Sequence, residues 1–361
     1  MPGLGVAAIS VSISSIQRLC APSRNTRSSA ASTINPAISR RSERDILAVT
    51  SLFTSFAVSN ALHEKIHIGP AGWDYPDWDG ILYPPSRKRG FDALAYIASY
   101  FTLVEINNTF YRVPAPAVTR RWVERVAGAP RFTFTVKAHQ SLTHQGDDGT
   151  PAALVPMCEA LEPIAVAGRL GAVLLQFPWS FRFDDESRRH LDARIEELRP
   201  FPLALEVRHG SWESPEASSY LGSLGLTVCG IDQPVMGDSL HPYHYRTGNA
   251  GAYFRLHGRN YKNWFAENAG RDARYDYLYS PEELSPWAGV IAKAAAAATT
   301  THVVLNNHFR GQAPANAFEL AFMLTGKKLP APARLVRAYP RLKESTTSAP
   351  GDDDERTLFD M

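Results

Sequence analysis

The feature that most constrains the fold is a regular alternation of short apolar runs and stretches of helical periodicity. The eight apolar runs, each typical of a buried strand, are 65–73, 101–110, 131–140, 170–178, 202–210, 226–234, 252–260 and 301–309. The helical stretches are 86–99, 115–127, 151–167, 184–198, 213–224, 281–298 and 314–325. Strands that alternate with helices lie parallel in an α/β fold. Eight such strands predict a (β/α)8 TIM-type barrel.

One connection departs from this pattern, because the seventh strand follows the sixth without an obvious helix between them. The barrel is therefore expected to be irregular at that point. A doubly wound open sheet is the alternative fold. It does not require eight strands, and no GxGxxG turn follows the first strand.

Composition divides the chain into three parts. Residues 1–62 are rich in Ser, Ala and Arg, which indicates a disordered or targeting-like extension or a misassigned start. Residues 63–345 are predicted to form a single domain. Residues 346–361 are predicted to be an acidic, disordered tail. Its Leu358 and Phe359 form a short apolar element that could dock in a groove of a partner protein, with a frayed terminus as the alternative.

Charge and cysteine usage exclude several classes of protein. The net charge is +2, so bulk charge does not indicate nucleic acid binding. No apolar run is long enough to span a bilayer, and no membrane partner is expected. The three cysteines lack CxxC spacing, which argues against a disulfide framework and fits a reducing compartment. A cytoplasmic location is expected, although the first 62 residues leave organelle targeting open.

Polar side chains occur near the C-terminal end of seven of the eight predicted strands, always on the face that would point into a barrel. Barrel enzymes place their active sites at this end. The residues are Glu105, Asn107, Lys137, Gln176, Glu206, Arg208, Asp232, Arg255, His257, Arg259, Asn306 and His308. The alternative is a buried ion-pair network, such as Glu206 with Arg208 or Arg255, that only stabilises the protein.

The residue types predict which side chains would bind a ligand and which would act as acid or base. Guanidinium and ammonium groups bind oxyanions, so Lys137, Arg208, Arg255 and Arg259 are predicted to hold an anionic ligand. Further substrate-binding candidates are Asn107, Tyr111, Gln176, Asn306 and His308. Glu105, Glu206 or Asp232 would act as general base and His257 as acid. Glu105 and Glu206 also leave an inverting glycosidase open.

No cofactor signature is present. The carboxylates named above, with His257 and His308, are residue types that could bind a divalent metal, but no HxH or HExxH spacing occurs. No GxSxG elbow indicates a serine nucleophile either. Aromatic residues in the stretches 73–78 and 261–280 fit either stacking on unpaired bases or a small core over the end of the barrel.

The motifs together resemble the YecE-like family, also called domain of unknown function seventy-two. They are IGPAGWDYPDW, LVEINNTFYRVP, FTVKAHQSLTH, LLQFP, LEVRHGSW, YFRLHGR and LNNHFRGQAPANA, across roughly residues 66–325. The resemblance implies a (β/α)8 barrel but no established activity. It also implies a likeness in shape to the endonuclease IV superfamily, whose members use three zinc ions. This sequence departs from that pattern, because Arg and Lys stand at strand ends where such enzymes carry His.

Two functions remain as hypotheses. The first is an enzyme of hydrolase or lyase type that binds a small anionic ligand, phosphorylated and nucleotide-derived, at the C-terminal end of the barrel. The second is a non-catalytic module that binds single-stranded or damaged DNA or RNA through the same pocket and the 261–280 loop.

Overall fold

The computed structural model of the chain describes residues 64–144, 151–264, 266 and 271–349. The predicted extension 1–62 and the tail element formed by Leu358 and Phe359 lie outside these residues. Across the described ranges, no helix has both the length and the apolar character that crossing a membrane requires.

Each predicted apolar run contains a strand, and the sixth run contains two short ones. The strands are β1 (Ile66–Pro70), β2 (Leu103–Ile106), β3 (Thr133–Lys137), β4 (Leu170–Gln176), β5 (Leu203–Glu206), β6 (Thr227–Val228), β7 (Gly230–Asp232), β8 (Ala252–Leu256) and β9 (Thr301–Leu305). All of them pair in parallel, in the orders β2-β3-β4-β5-β6 and β1-β9-β8-β7.

The two sheets meet at both of their edges. Cys229 alone separates β6 from β7, and its N–H donates to the carbonyl oxygen of Leu205 at 2.8 Å. At the other edge Ala71 forms a parallel bridge with Glu105, and the N–H of Gly72 donates to the Glu105 carbonyl oxygen at 2.8 Å. The prediction of an α/β fold with parallel strands is confirmed, and the strand order is compatible with the predicted barrel.

Seven of the helices match the predicted helical stretches. They are α1 (Ala93–Ala98), α2 (Pro116–Arg125), α3 (Leu154–Val166), α4 (Asp185–Glu197), α5 (Pro215–Ser223), α8 (Pro281–Ala297) and α9 (Gln312–Thr325). The short helices α6 (Tyr261–Trp264), α7 (Arg271–Arg274) and α10 (Ala333–Ala338) were not predicted. The connection from β7 to β8, residues 233–251, contains no α-helix, as the sequence predicted.

Helix α1 begins later than the sequence predicted, at Ala93 instead of residue 86. The stretch between residue 86 and the helix contains Gly90, whose φ of 91° is incompatible with a right-handed helix. Asp92 then caps the helix, because its carboxylate accepts a hydrogen bond from the N–H of Ala95 at 2.9 Å. Local helical periodicity could not reveal this late start.

The folded region extends past the boundary predicted at residue 345. Strand β10 (Leu329–Ala331) pairs in parallel with β11 (Thr346–Ser348). The first residues of the segment assigned to an acidic tail are therefore part of the domain. The pairing joins segments that are distant in sequence, and three polar residues give no strand signal of their own.

Candidate functional site

Arg255 on β8 lies at the centre of a buried cluster of charges. Its Nε and Nη2 donate to the two carboxylate oxygens of Glu105, on β2, at 2.9 and 2.6 Å. Its Nη1 donates to Glu206, at the end of β5, and lies 3.4 Å from the amide oxygen of Gln176. Arg255 is 1% exposed and both carboxylates are fully buried, so these ion pairs are shielded from water.

A second guanidinium completes the neutralisation of this cluster. Arg208 donates from Nε and Nη2 to one oxygen of Glu206 at 3.0 and 2.6 Å. The Tyr253 hydroxyl donates to Glu105 at 2.7 Å. Burial alone would raise the pKa of Glu206, but Arg255 and Arg208 outweigh that effect and hold it well below its usual value. Two carboxylates and two guanidiniums therefore form a set with no net charge.

His257 is held neutral beside this cluster. Its Nδ1 accepts a hydrogen bond from the Asn306 amide at 2.9 Å, so its Nε2 carries the proton and faces Glu206 at 3.4 Å. Burial lowers the pKa of His257 to about 3, and the neighbouring Arg255 also disfavours the imidazolium, although Glu206 opposes this. At neutral pH the ring is therefore neutral, with its Nε2 3.4 Å from Glu206.

Lys137, the last residue of β3, differs from the arginines. Its Nζ lies 3.8 Å from the centre of the Phe110 ring, and within the described ranges no carboxylate or carbonyl accepts a hydrogen bond from it. Burial lowers the pKa of Lys137 to about 7, and the positive charges of Arg255 and Arg208 lower it further than the carboxylates raise it. The side chain is thus close to half protonated at neutral pH.

A cavity of about 500 Å³ opens in front of Lys137 at the C-terminal ends of the strands. Its polar lining comes from Asp74, Asn107, Asn108, Arg125, Lys137, Gln176, Arg255, Asn306 and His308. Its aromatic lining comes from Trp73, Tyr75, Phe110, Tyr111, Trp122 and Tyr275. The side-chain oxygen of Asn107 is buried there and accepts no hydrogen bond from the described part of the chain. This cavity has the size and mixed lining of a small-molecule site.

The structure places the predicted site residues in three different settings. Seven of them line the cavity, namely Asn107, Tyr111, Lys137, Gln176, Arg255, Asn306 and His308. Glu105, Glu206, Arg208 and His257 do not line it and lie in the charge cluster next to it. Tyr111 is 65% exposed.

Asp232 and Arg259 form a separate pair. Arg259 donates from Nε and Nη2 to the Asp232 carboxylate, at 2.9 Å for its shortest contacts. Tyr279 donates its hydroxyl to the same carboxylate at 2.5 Å. Neither Asp232 nor Arg259 lines the cavity. The sequence placed both residues on inward-facing strand positions but could not show that they bind each other.

Some residues that shape the site were not among the predicted site residues, although Tyr275 and Trp78 lie in the aromatic stretches that the sequence singled out. Phe110 desolvates Lys137, and Tyr275 comes from the loop between β8 and α8 to contact the His308 ring in a tilted arrangement, with ring centres 5.0 Å apart. Trp78 is fully buried and its Nε1 donates to the carbonyl oxygen of His308 at 2.7 Å. Phe110 is the last residue of the predicted apolar run 101–110, which is the only sequence signal for its position.

The donor atoms do not fit a divalent metal ion. Both buried carboxylates of the cluster are bound by guanidinium groups, and His257 Nε2 lies 3.4 Å from Arg255 Nη1. A cation placed there would meet two fixed positive charges. Within the ranges that the structure describes, no three His, Cys, Asp or Glu side chains converge as metal ligands would. The arrangement does not fit the three-zinc mechanism that the resemblance implied.

Comparisons with known proteins agree on the family. A profile described as "Protein of unknown function DUF72" matches residues 67–338. The UPF0759 protein YunF of Bacillus subtilis (strain 168) is 30% identical over 272 residues, which cover 72% of this chain and 94% of that protein. The UPF0759 protein YecE of Escherichia coli (strain K12) is 28% identical over 178 residues, or 47% of this chain and 58% of that protein.

Solved structures show the same fold. The crystal structure of a DUF72 family protein from Thermotoga maritima is 32% identical, with a TM-score of 0.62, and the match covers 72% of this chain and 99% of that one. A DUF72 family protein from Enterococcus faecalis, 23% identical, has a TM-score of 0.63 over 72% of this chain and 95% of that one.

Proposed function

The chain belongs to the DUF72 family, and from its own site we propose that it is an enzyme that binds a small anionic ligand in the cavity beside Lys137. The observation that carries this proposal is the state of the cations around the cavity. Arg255 and Arg208 are neutralised by Glu105 and Glu206. Lys137 alone among them has no acceptor within the described ranges.

The charge balance makes Lys137 the anion-binding group. Because the cluster behind it has no net charge, the lysine ammonium is a single positive charge in a desolvated pocket. An oxyanion that binds there satisfies it with a charge-assisted hydrogen bond. The amides of Asn107, Gln176 and Asn306 line the same cavity and can donate further hydrogen bonds to a phosphate or a carboxylate.

The same residue is the best placed acid or base. A catalytic proton donor or acceptor works best when its pKa lies near the working pH. The pKa of Lys137 is lowered to about 7, whereas the pKa of Glu206 lies well below its usual value. Lys137 therefore takes the proton-transfer role in a hydrolase or lyase reaction. Glu105 and Glu206 act as positioning residues, because they hold Arg255 and Arg208 in place.

The proposal is tested by titration calorimetry with sulfate, inorganic phosphate and pyruvate on the wild type, Lys137→Gln and Lys293→Gln. Lys293 is an exposed lysine on α8. Loss of one charge-assisted hydrogen bond should weaken anion binding about 10- to 100-fold in Lys137→Gln. Lys293→Gln should bind as the wild type does. Equal binding by all three proteins, or no binding of any anion, would overturn the proposal.

The pH dependence gives an independent check with a defined sign. An anion binds the protonated amine, so affinity is full below about pH 7 and falls about tenfold per pH unit above it. Sulfate is the suitable probe because its own charge is constant in this range. The groups that set this behaviour surround Nζ and are Arg255, Glu206, Arg208 and Glu105.

The second candidate function, a module that binds single-stranded nucleic acid, is favoured by the aromatic residues at the same end of the strands. Trp179 is 39% exposed and Arg182 lies 5.7 Å from its ring, while Arg208 lies 5.8 Å from the ring of Trp264. Such ring and cation pairs can stack with unpaired bases. In this case a short oligonucleotide should bind more tightly than sulfate, with an affinity that falls steeply as salt rises.

A further inference from the structure

We propose that Lys137 is a nucleophile whose amine condenses with the carbonyl group of a small anionic aldehyde or ketone to form an imine. A 2-oxo acid is the simplest member of this substrate class. The inference rests on the proposed function, because the amides of Asn107, Gln176 and Asn306 that line the cavity hold the anionic group while the neutral amine of Lys137 reacts. It goes beyond that function by assigning the lysine a covalent role and by naming the carbonyl as the reacting group.

The placement of the amine is the first argument. Lys137 ends a strand, and its backbone carbonyl is fixed by the Thr109 hydroxyl at 2.6 Å. Its Nζ then lies against the face of Phe110 and lines the cavity of about 500 Å³. Within the described ranges no acceptor occupies the amine, so its lone pair is available once the proton leaves. A reactive lysine needs this combination of a fixed stem, an apolar wall and an open front.

The charges behind the amine are the second argument. Arg255 and Arg208 are held near Lys137 by the buried carboxylates, and they disfavour a third positive charge. Desolvation and a neighbouring cation are the two devices that activate lysine for imine chemistry. At neutral pH about half of the Lys137 side chains are neutral, whereas an ordinary lysine is neutral in roughly one molecule per thousand or fewer.

The reaction balances without any further reagent. The neutral amine nitrogen attacks the carbonyl carbon, the C=O π bond opens, and a proton from nitrogen passes to the oxygen to give a carbinolamine. The remaining N–H proton and the hydroxyl then leave as water, and the C=N bond forms. A proton from solvent makes the imine cationic. The cation withdraws electrons from the adjacent C–C bond, which is the chemistry that a lyase requires.

The cavity contains side chains that can hydrogen-bond to the carbinolamine intermediate. Gln176 and Asn107 line it next to the strand that carries Lys137, and the Asn107 side-chain oxygen is buried without a hydrogen-bond partner in the described ranges. A hydroxyl group that forms during the addition can donate to this oxygen. His144 lies near enough to feel the charge of Lys137, and burial lowers its pKa to about 4, so it is a neutral imidazole.

The test is reductive trapping. The full chain is incubated at pH 7 with pyruvate and cyanoborohydride, which reduces an imine to a stable secondary amine, and the modified lysines are identified by peptide mass spectrometry. Lys137 should be modified at least tenfold faster than the exposed Lys88 and Lys293. Acetone, an uncharged ketone, should modify it at least tenfold more slowly than pyruvate.

Lys137→Arg separates covalent chemistry from charge, because it keeps a cation but cannot form the imine. Trapping on the remaining lysines should match that of the wild type, with the Lys137 adduct gone and sulfate binding less weakened than in Lys137→Gln. Should this variant not fold, the peptide map of the wild type decides alone. Modification of Lys137 at the rate of the exposed lysines would overturn the inference.

The two proposals fail in different ways. Sulfate binding that is lost in Lys137→Gln, together with no trapped adduct on Lys137, would remove the imine and leave the anion site standing. A trapped adduct that forms equally fast with acetone and pyruvate would contradict the anionic substrate class. Absence of both sulfate binding and trapping would remove both proposals.

Discussion

The two ends of the parallel strands bury polar groups in opposite ways. At the C-terminal ends Glu105, Glu206 and Arg255 are at most 1% exposed and form two salt bridges that share Arg255. At the N-terminal ends a second cavity, of about 370 Å³, is lined by His67 and His302. These rings stack with centres 5.8 Å apart, and burial lowers the pKa of both, that of His302 to about 3.

The two ends differ in how they reduce the cost of removing ionisable groups from water. A buried ionisable group either keeps its charge beside a partner of opposite sign or gives the charge up. His302 has no carboxylate to pair with, and its Nδ1 is buried without a partner in the described ranges, so it stays neutral. Gly171 leaves room for it, because a Cβ there would lie 2.4 Å from His302 Nε2. The C-terminal end therefore buries paired charges and the N-terminal end buries neutral rings, although Arg131 also lines the N-terminal cavity.

The largest effect is expected from breaking the charge cluster. Arg255→Met leaves Glu105 without a guanidinium and Glu206 with Arg208 alone, all within the buried region. Removing one member of a buried ion pair costs about 3–5 kcal/mol. Urea unfolding followed by circular dichroism at pH 7 should show a loss of this size in the free energy of unfolding.

A matched control is Arg188→Met on α4. Arg188 pairs with Asp185, and their side chains are 42% and 83% exposed. Water screens an exposed pair, so this variant should unfold close to the wild type. Equal losses in the two variants would show that burial does not determine how much the central ion pairs contribute to the free energy of unfolding.

The sequence revealed the fold and the polar character of the strand ends. Parity along β8 placed Arg255 and His257 on one face, and the same rule placed Glu105 on its own strand. That rule rests on local geometry, which the sequence determines directly. It also places His302 on the same face of β9 as Asn306, and yet His302 lies at the opposite end of the strand.

What the sequence could not show is which polar groups satisfy each other. The sequence predicted that twelve inward-facing side chains line one pocket. In the structure Asp232 instead binds Arg259 and Tyr279, and Glu206 binds two arginines. These pairings join residues up to 150 positions apart and depend on side-chain directions. The lowered pKa of Lys137 comes first from burial and then from the charge of Arg255, and neither is visible in the sequence, so Lys137 could not be distinguished there from its neighbours.

Acidification tests the neutral end of the comparison. The pKa of His302 is about 3 in the folded chain and about 6.5 when unfolded, so the unfolded state binds more protons below pH 6.5. The free energy of unfolding should therefore decrease as the pH is lowered. His302 should account for a loss of about 2 kcal/mol between pH 7 and pH 5. His257 has a similarly low pKa and should add a comparable loss.

The variant His302→Leu isolates the contribution of one ring. Urea unfolding at pH 7 and pH 5 should show that the acid-induced loss is smaller by about 2 kcal/mol in the variant than in the wild type. An unchanged acid-induced loss would mean that His302 can be protonated in the folded protein, and the N-terminal end would then resemble the charged end.

The smallest loss of stability is expected for the pair of Asp232 and Arg259. The sequence predicted both as site residues, but the structure places them outside the cavity. Asp232→Asn removes a charge that is 1% exposed, but Arg259 is 26% exposed and reaches water, and it can still hydrogen-bond the amide. Because solvent can compensate the arginine, the free energy of unfolding should fall by about 1–2 kcal/mol, less than in Arg255→Met. Neither residue lines the cavity, so sulfate titration should give a Kd within about twofold of the wild type. A loss of sulfate binding as large as that in Lys137→Gln would place Asp232 in the anion site, and the distinction between the paired residues and the cavity residues would fail.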